Sequence, residues 1–199
     1  MSFTLISFYT KDWFYPEHAL RLAEECDNLK IEHVIEELQS TGSYLKNTCL
    51  KPAFILEKLL ELNSPVLWVD VDGSVLKFPT LMNQIQPRAD FAAKRMAPER
   101  SRTWHVGTMW FNNTPATIEF LKKWIENVGN ISDESALEKT WQDHGHLLRT
   151  YDLPSEYFHI SRKTHTIPTG TVITHRISDG VSKRSELPSA IAKAKKGIY

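Results

Sequence analysis

Two hydrophobic periods alternate along the chain, and the changes between them mark its elements. Residues 3–10 (FTLISFYT) are β-branched, aromatic and nearly uncharged, as in a strand buried on both faces. From Pro16 the pattern turns helical: Ala19, Leu22, Ala23 and Cys26 share a face, with proline in its usual first-turn place. Residues 31–38 (IEHVIEEL) alternate apolar and polar, predicting a strand with one wetter face. Residues 39–48 (QSTGSYLKNT) form a loop whose end runs into a helix. Residues 51–62 (KPAFILEKLLEL) predict a helix with Phe54, Ile55, the stem of Lys58 and Leu59 inward, and 64–72 (SPVLWVDVD) the next buried strand. Strands alternating with helices predict an α/β fold: one domain whose mostly parallel central sheet is flanked by helices.

The second half continues in shorter units. A short helix over PTLMNQI precedes a strand over ADFAAKRM, a polar basic loop (APERSR) and a strand over WHVGTMWFNN. The helix PATIEFLKKWIENV follows, with Ile118, Leu121, Trp124, Ile125 and Val128 at 3–4 spacing. A further helix over DESALEKTWQDHG starts near Ser132 or Asp133 with acids in its first turn, where the helix dipole favours them. YDLPSEYFHI and TVITHRI read as late short strands, and residues 178–199 as a polar, basic tail carrying AIAKAKKG.

Composition narrows the class. The chain has 199 residues with 24 Lys+Arg against 24 Asp+Glu, so it is no general nucleic-acid coat, although a local basic patch is compatible with that balance. No apolar run approaches the length of a membrane span, and the amino terminus lacks a basic stretch followed by a long apolar one; the cytoplasm is the expected compartment. Cys26 and Cys49 form no CxxC and read as reduced thiols. His144 and His146 have metal-like composition but no third nearby Cys or His.

The chemistry concentrates at LWVDVDGSVLKFP, residues 67–79, where Asp70 and Asp72 end an apolar strand just before Gly73. Ligand sites of parallel sheets lie at the carboxyl ends of strands, and in an extended segment residues two apart point the same way. Two converging carboxylates either raise a pKa or share a cation. Oxygen ligands suit Mg²⁺ or Mn²⁺, which keep waters and bind substrate phosphates. The bland alternative is a solvated turn. A DxDG sequence also opens the nucleophile loop of haloacid-dehalogenase-type phosphatases, but two strand–helix units precede it here, and the later ISDG (177–180) follows no buried strand.

A second family fits more of the chain. KPAFILEKLLELNSPVLWVDVDGSVLKFP resembles the segment of nucleotide-diphospho-sugar transferases that runs from a Lys-Pro helix into a DxD strand, as in glycosyltransferases of the GT-A fold. GTMWFNNTPATIEFLKKWI, DESALEKTW, YDLPSEYF and TVITHRIS resemble that family's later landmarks in order, with Glu134 standing where a Gln is expected. The resemblance spans residues 3 to 177 and implies a single GT-A-like domain over 1–177, its nucleotide-binding half about 1–80 and its acceptor half about 81–177.

The resemblance also implies roles. The donor is a nucleotide-diphosphate sugar, a UDP-sugar foremost, and the cofactor Mn²⁺ (or Mg²⁺), held by Asp70 and Asp72 with His175 as third ligand. Thr10 and Tyr15 would hold the base and ribose, and Val71 would line the site between the acids. Asp133 would be the carboxylate facing the donor sugar, Gly107 would admit the sugar closely, and Asn112 would orient its hydroxyls. Lys51 lies near the nucleotide by resemblance, or is a solvated first-turn lysine. Helix capping explains Asp133 equally, loop packing Tyr15 and Trp13, and a turn Asn112. The acceptor is a protein, a polysaccharide or, given the basic KRMAPERSR and AKAKK, modified DNA. Two other functions remain open: a phosphatase or nucleotide-sugar hydrolase using the same acids, and a non-catalytic nucleotide-sugar-binding module.

Overall fold

The computed structural model describes residues 3–11, 15–129, 131–161 and 166–176; Trp13, ISDG and the basic tail lie outside the described residues. The first elements are β1 (Thr4–Thr10), α1 (Tyr15–Leu29), β2 (His33–Leu38), α2 (Tyr44–Thr48) and α3 (Lys51–Leu62), of which all but the short α2 match the hydrophobic periods. They are followed by β3 (Val66–Val69), β4 (Gly73–Val75), α4 (Leu81–Ile85), β5 (Phe91–Arg95), β6 (Trp104–Phe111) and α5 (Pro115–Asn127). Then come α6 (Asp133–His144), β7 (Thr150–Asp152), β8 (His159–Ser161) and β9 (Ile173–Arg176).

The central sheet has six strands in the order β2-β1-β3-β6-β5-β7. β1 pairs in parallel with β2 and β3, and β5 with β7, whereas β6 runs antiparallel to both β3 and β5. The sheet is thus mostly parallel with one reversed strand. A second, three-stranded sheet in the order β4-β9-β8 lies against its edge of entry.

Side-chain alternation divides the interior into two layers. Along β3, Val66 and Trp68 face one core with Ile6, Phe54, Leu59, Phe111 and Trp124, while Leu67 and Val69 face the other with Leu5, Leu22, Cys26 and Trp110. A strand covered on both sides has no polar face, which is why its sequence is continuously apolar. β2, at the sheet's edge, is half exposed throughout and keeps the alternation.

Three features differ from the sequence reading. Asp70 and Asp72 are not extended: the Gly73 amide donates to Asp70 O at 2.7 Å, closing a turn over Asp70–Gly73, so period-2 alternation ends at Val69. A Cβ on Gly73 would come within 2.9 Å of Asp70 O, so only glycine closes this turn unstrained. The strand that begins at Gly73, β4, is too short to leave a hydrophobic period. On α5 the inward stripe is Thr117, Phe120, Leu121 and Trp124, with Ile118, Ile125 and Val128 only partly covered. Thr117 takes a core position because its hydroxyl donates to Asp90 O at 3.1 Å.

Asp90 is the polar hub at the end of the sheet where β5 and β7 begin. Its carboxylate, 4% exposed, accepts from Arg149 Nε at 3.0 Å, Arg149 Nη2 at 2.8 Å, the Arg149 amide at 2.9 Å and Thr114 Oγ1 at 3.0 Å. Hydrogen bonds from the Arg149 side chain, against a smaller opposing effect of burial, hold its carboxyl below the ordinary value. A depressed carboxyl stabilises the fold above its unfolded pKa of about 4 and loses that contribution as the pH falls through the lower native value. Asp90→Ala is expected to lower unfolding free energy by about 3 kcal/mol in urea titrations at pH 7, with the difference from wild type shrinking below about pH 4.

Candidate active site

Because β1 and β3 are parallel neighbours, their carboxyl ends lie side by side, and the helices that follow parallel strands begin there. The reversal at β6 sends α5 away from this edge and back, so α6 also starts here. The cavity at this edge is lined by Thr10 and Tyr15 after β1, by Tyr44 and Leu45 on α2, by Asp70, Val71 and Asp72 after β3, and by Asp133 and Glu134 on α6.

Lys51 is its centre. This first residue of α3 is 5% exposed, not solvated, and its Nζ lies 2.7 Å from Asp133 Oδ2 and 3.0 Å from Asp70 Oδ1. It also donates to Val106 O at 3.4 Å and sits 5.3 Å from the centre of the Trp68 ring. Burial alone would push the ammonium toward neutrality, but the charges of Asp133 and then Asp70 outweigh it and raise its pKa. Trp68 Nε1 donates to the same Asp70 Oδ1 at 2.9 Å. One oxygen of Asp70 is therefore committed to protein partners.

Asp133 is buried beside Lys51 and does not cap α6: Ser132 does, accepting from the Ser135 amide at 3.2 Å. Trp124 Nε1 donates to Asp133 O at 3.1 Å, tying the start of α6 to α5. Glu134 forms an ion pair with Arg102, and Glu138 accepts from Thr103, so the basic loop between β5 and β6 is pinned to α6. At the end of β5, Lys94 pairs with Asp152 at 3.0 Å and Arg95 lies over the Trp104 ring.

Thr10, Tyr15, Lys51, Asp70, Val71, Asp72 and Asp133 all line this cavity. Asn112 does not. Since β6 is antiparallel, Thr108 pairs with Val69 near the cavity while Phe111 pairs with Val66 at the opposite end. Asn112 therefore leaves the sheet far from the acids, where its Nδ2 donates to Gln86 O at 2.7 Å and Ala89 O at 3.0 Å. Gly107 is beside the acidic turn, its carbonyl accepting from the Asp70 amide at 2.8 Å, but imidazoles fill the space above it. A Cβ there would meet His105 Cε1 at 2.6 Å and His175 Cε1 at 2.7 Å.

His175 arrives beside the turn because β9 pairs it with Gly73, one residue past Asp72. Its ring is 7% exposed, with Nε2 2.7 Å from Thr108 Oγ1. Next to it His105 accepts from the Gly107 amide through Nδ1 at 3.0 Å. Burial first, then the proximity of His175, Lys51 and Arg102, drives the His105 pKa down to about 2, so this ring is neutral. Among the described residues no three His, Cys, Asp or Glu side chains are drawn together as a ready-made ion site. The donors present, two carboxylates with an imidazole behind the turn, nonetheless fit a divalent ion that takes its remaining ligands from water and diphosphate oxygens.

Comparison with known proteins identifies the family. Residues 18–185 match the family of nucleotide-diphospho-sugar transferases. The chain belongs to that family. It is a nucleotide-sugar glycosyltransferase. Its fold is shared with a glycosyltransferase involved in glycosylation of the major capsid of PBCV-1, with a TM-score of 0.69 at 14% identity over 94% of this chain and 98% of the other. GlyE of Streptococcus pneumoniae TIGR4 superposes with a TM-score of 0.58 at 15% identity, over 88% of this chain and 54% of GlyE. Mouse xyloside xylosyltransferase 1 gives 0.52 at 11% identity, over 88% of this chain and 98% of its own. No functionally curated protein matches the sequence significantly. Among the described residues of the transferase, no helix is long and apolar enough to cross a membrane.

The sequence reading left Tyr44, Leu45 and Trp68 without roles in the transferase site. Tyr44 and Leu45 sit on a five-residue helix too short to show a period, and Trp68 reads only as a strand residue. Breaking a buried ion pair by deleting one partner strands the other charges, so Lys51→Met is expected to lower the transferase's stability by about 4 kcal/mol in urea unfolding. A loss below about 1 kcal/mol would show that the two carboxylates do not depend on the lysine.

Proposed function

We propose that the transferase moves a sugar from a metal-bound UDP-sugar to a protein or polysaccharide acceptor. The observation that carries this reading is the Lys51 ammonium joining Asp70 of the acidic turn to Asp133 of α6 at the wall of the cavity. A divalent cation, Mn²⁺ or Mg²⁺, held by Asp72 and Asp70 with His175 as third donor, would supply Lewis-acid neutralisation of the departing diphosphate. The imidazole favours Mn²⁺.

The chain's own groups do the rest. Thr10 and Tyr15, at the end of β1, receive the base and ribose, and an aromatic ring there stacks on a base at small entropic loss. Asp133 faces the donor sugar, its carboxylate held in place by Lys51 at 2.7 Å, where it stabilises positive charge developing at the anomeric carbon. Walls that exclude water strengthen both effects. DNA is the weaker acceptor candidate, because Arg102 of the basic loop pairs with Glu134, and Lys94 and Arg95 at the end of β5 meet Asp152 and the Trp104 ring.

The decisive experiment is a thermal-shift screen of UDP-, GDP-, ADP- and CMP-sugars with and without Mn²⁺. Ligand at about a hundredfold its dissociation constant stabilises the native state by about 2.7 kcal/mol. The expected result is stabilisation by one nucleotide sugar only when Mn²⁺ is present, lost in Asp72→Ala. No response to any of the four, with stabilisation by vanadate instead, would replace the donor reading with a phosphatase. Asp133→Asn is expected to keep Mn²⁺-dependent donor binding while lowering turnover about 10² to 10³-fold in a sugar-transfer or donor-hydrolysis assay. Unchanged turnover in that variant would remove Asp133 from the chemistry.

A further inference from the structure

Helix α1 grips the acidic turn from behind, at the two residues that flank Asp72. Arg21 Nη2 donates to Val71 O at 3.3 Å and also to Gly73 O. One turn along the helix, Glu25 Oε1 lies 3.5 Å from Arg21 Nε, and Glu25 Oε2 accepts from the Val75 amide at 2.8 Å. One turn before, His18 Nδ1 lies 3.0 Å from Arg21 Nη1. Positions 18, 21 and 25 share one helical face, so a single stripe of α1 holds the backbone at residues 71, 73 and 75.

We infer that Arg21 and Glu25 are positioning residues that aim the Asp72 carboxylate for the divalent cation and nucleoside diphosphate, an inference that rests on the donor-site reading above. The Val71 carbonyl belongs to the peptide unit whose nitrogen is that of Asp72, and the Gly73 carbonyl ends the next residue. Fixing both oxygens brackets the backbone on each side of Asp72. The front of the turn is pinned separately, by Gly73 N to Asp70 O at 2.7 Å and Asp70 N to Gly107 O at 2.8 Å. Without the rear contacts the turn would keep its ring closure but lose the orientation of its central residues.

Charge alone points the opposite way, which makes the inference separable from a simple field effect. An arginine behind a cation site repels the cation, so deleting Arg21 on electrostatic grounds would tighten metal binding. Glu25 offsets that repulsion while holding β4, leaving a pair that orients the turn with little net charge. A positional role requires metal binding to weaken when the positive charge is removed.

The test titrates Mn²⁺ into the full chain in the presence of UDP, or of the nucleoside diphosphate that the screen above selects, by calorimetry at 25 °C. Arg21→Met is expected to weaken the apparent Mn²⁺ affinity about 10- to 100-fold, as loss of an orienting partner does at metal sites. Arg21→Lys, with fewer and less directed donors, is expected to recover part of the loss, and Glu25→Gln to weaken binding less than Arg21→Met. Arg149→Met, which loosens the opposite end of the sheet, is expected to lower the melting temperature and leave the Mn²⁺ affinity unchanged. Unchanged or tighter Mn²⁺ binding in Arg21→Met overturns the inference. If that variant does not fold, unchanged binding in both Arg21→Lys and Glu25→Gln overturns it. Wild type that binds Mn²⁺ while the variants match it removes the clamp alone; wild type that binds no Mn²⁺ with nucleotide removes the donor site and the clamp with it.

Discussion

Around the ammonium of Lys51, three elements distant in sequence are brought to one point: the start of α3, the end of β3 and the start of α6. Its three protons face three acceptors, Asp133, Asp70 and the Val106 carbonyl, a match that a compact ammonium makes and a planar guanidinium does not. Asp133 is buried, so without the cation its carboxylate would be an uncompensated charge, whereas Asp70 is partly exposed at the cavity. The site's electrostatics and its local stability are therefore the same interaction. Asp70 gains a second anchor from the Trp68 indole.

Everything opposite Lys51 depends on the direction of β6. A parallel strand in that place would have delivered its following helix at the cavity edge directly and put its own glycine at the far end. The antiparallel strand brings Val106 and Gly107 to the acidic turn and lets α5 return the chain, so that α6 opens with Asp133 in place. The same reversal takes Asn112 away, to a structural task under the loop before β5. Asp90, Arg149 and Thr114 then close the end of the sheet that carries no ligand groups.

Glycines beside the acids leave room for other groups of the protein. The absent Cβ of Gly107 is the room in which the tilted rings of His105 and His175 meet each other and Phe158, the two imidazole centres 5.3 Å apart. Gly73 does the same for the carbonyl of Asp70. The acidic turn thus has α1 on one side and His175 on another.

The sequence by itself determined the elements and the chemistry at their ends. Continuous apolar runs mark β1 and β3 because both of their faces are covered, the 3–4 stripe marks α1 and α3, and Asp70 and Asp72 stand out because carboxylates at a buried strand end need a reason. Those are local signals, written within a few residues. Tertiary structure decided the rest, because it depends on contacts between residues far apart in sequence. Nothing near Lys51 says that Asp133 will neutralise it, nothing in WHVGTMWF states which way the strand runs, and Arg21 looks like any solvated arginine until β4 folds beneath it. Strand direction and buried-charge pairing are settled when the layers close, since only then do desolvation and the remaining partners fix which arrangement has lower free energy.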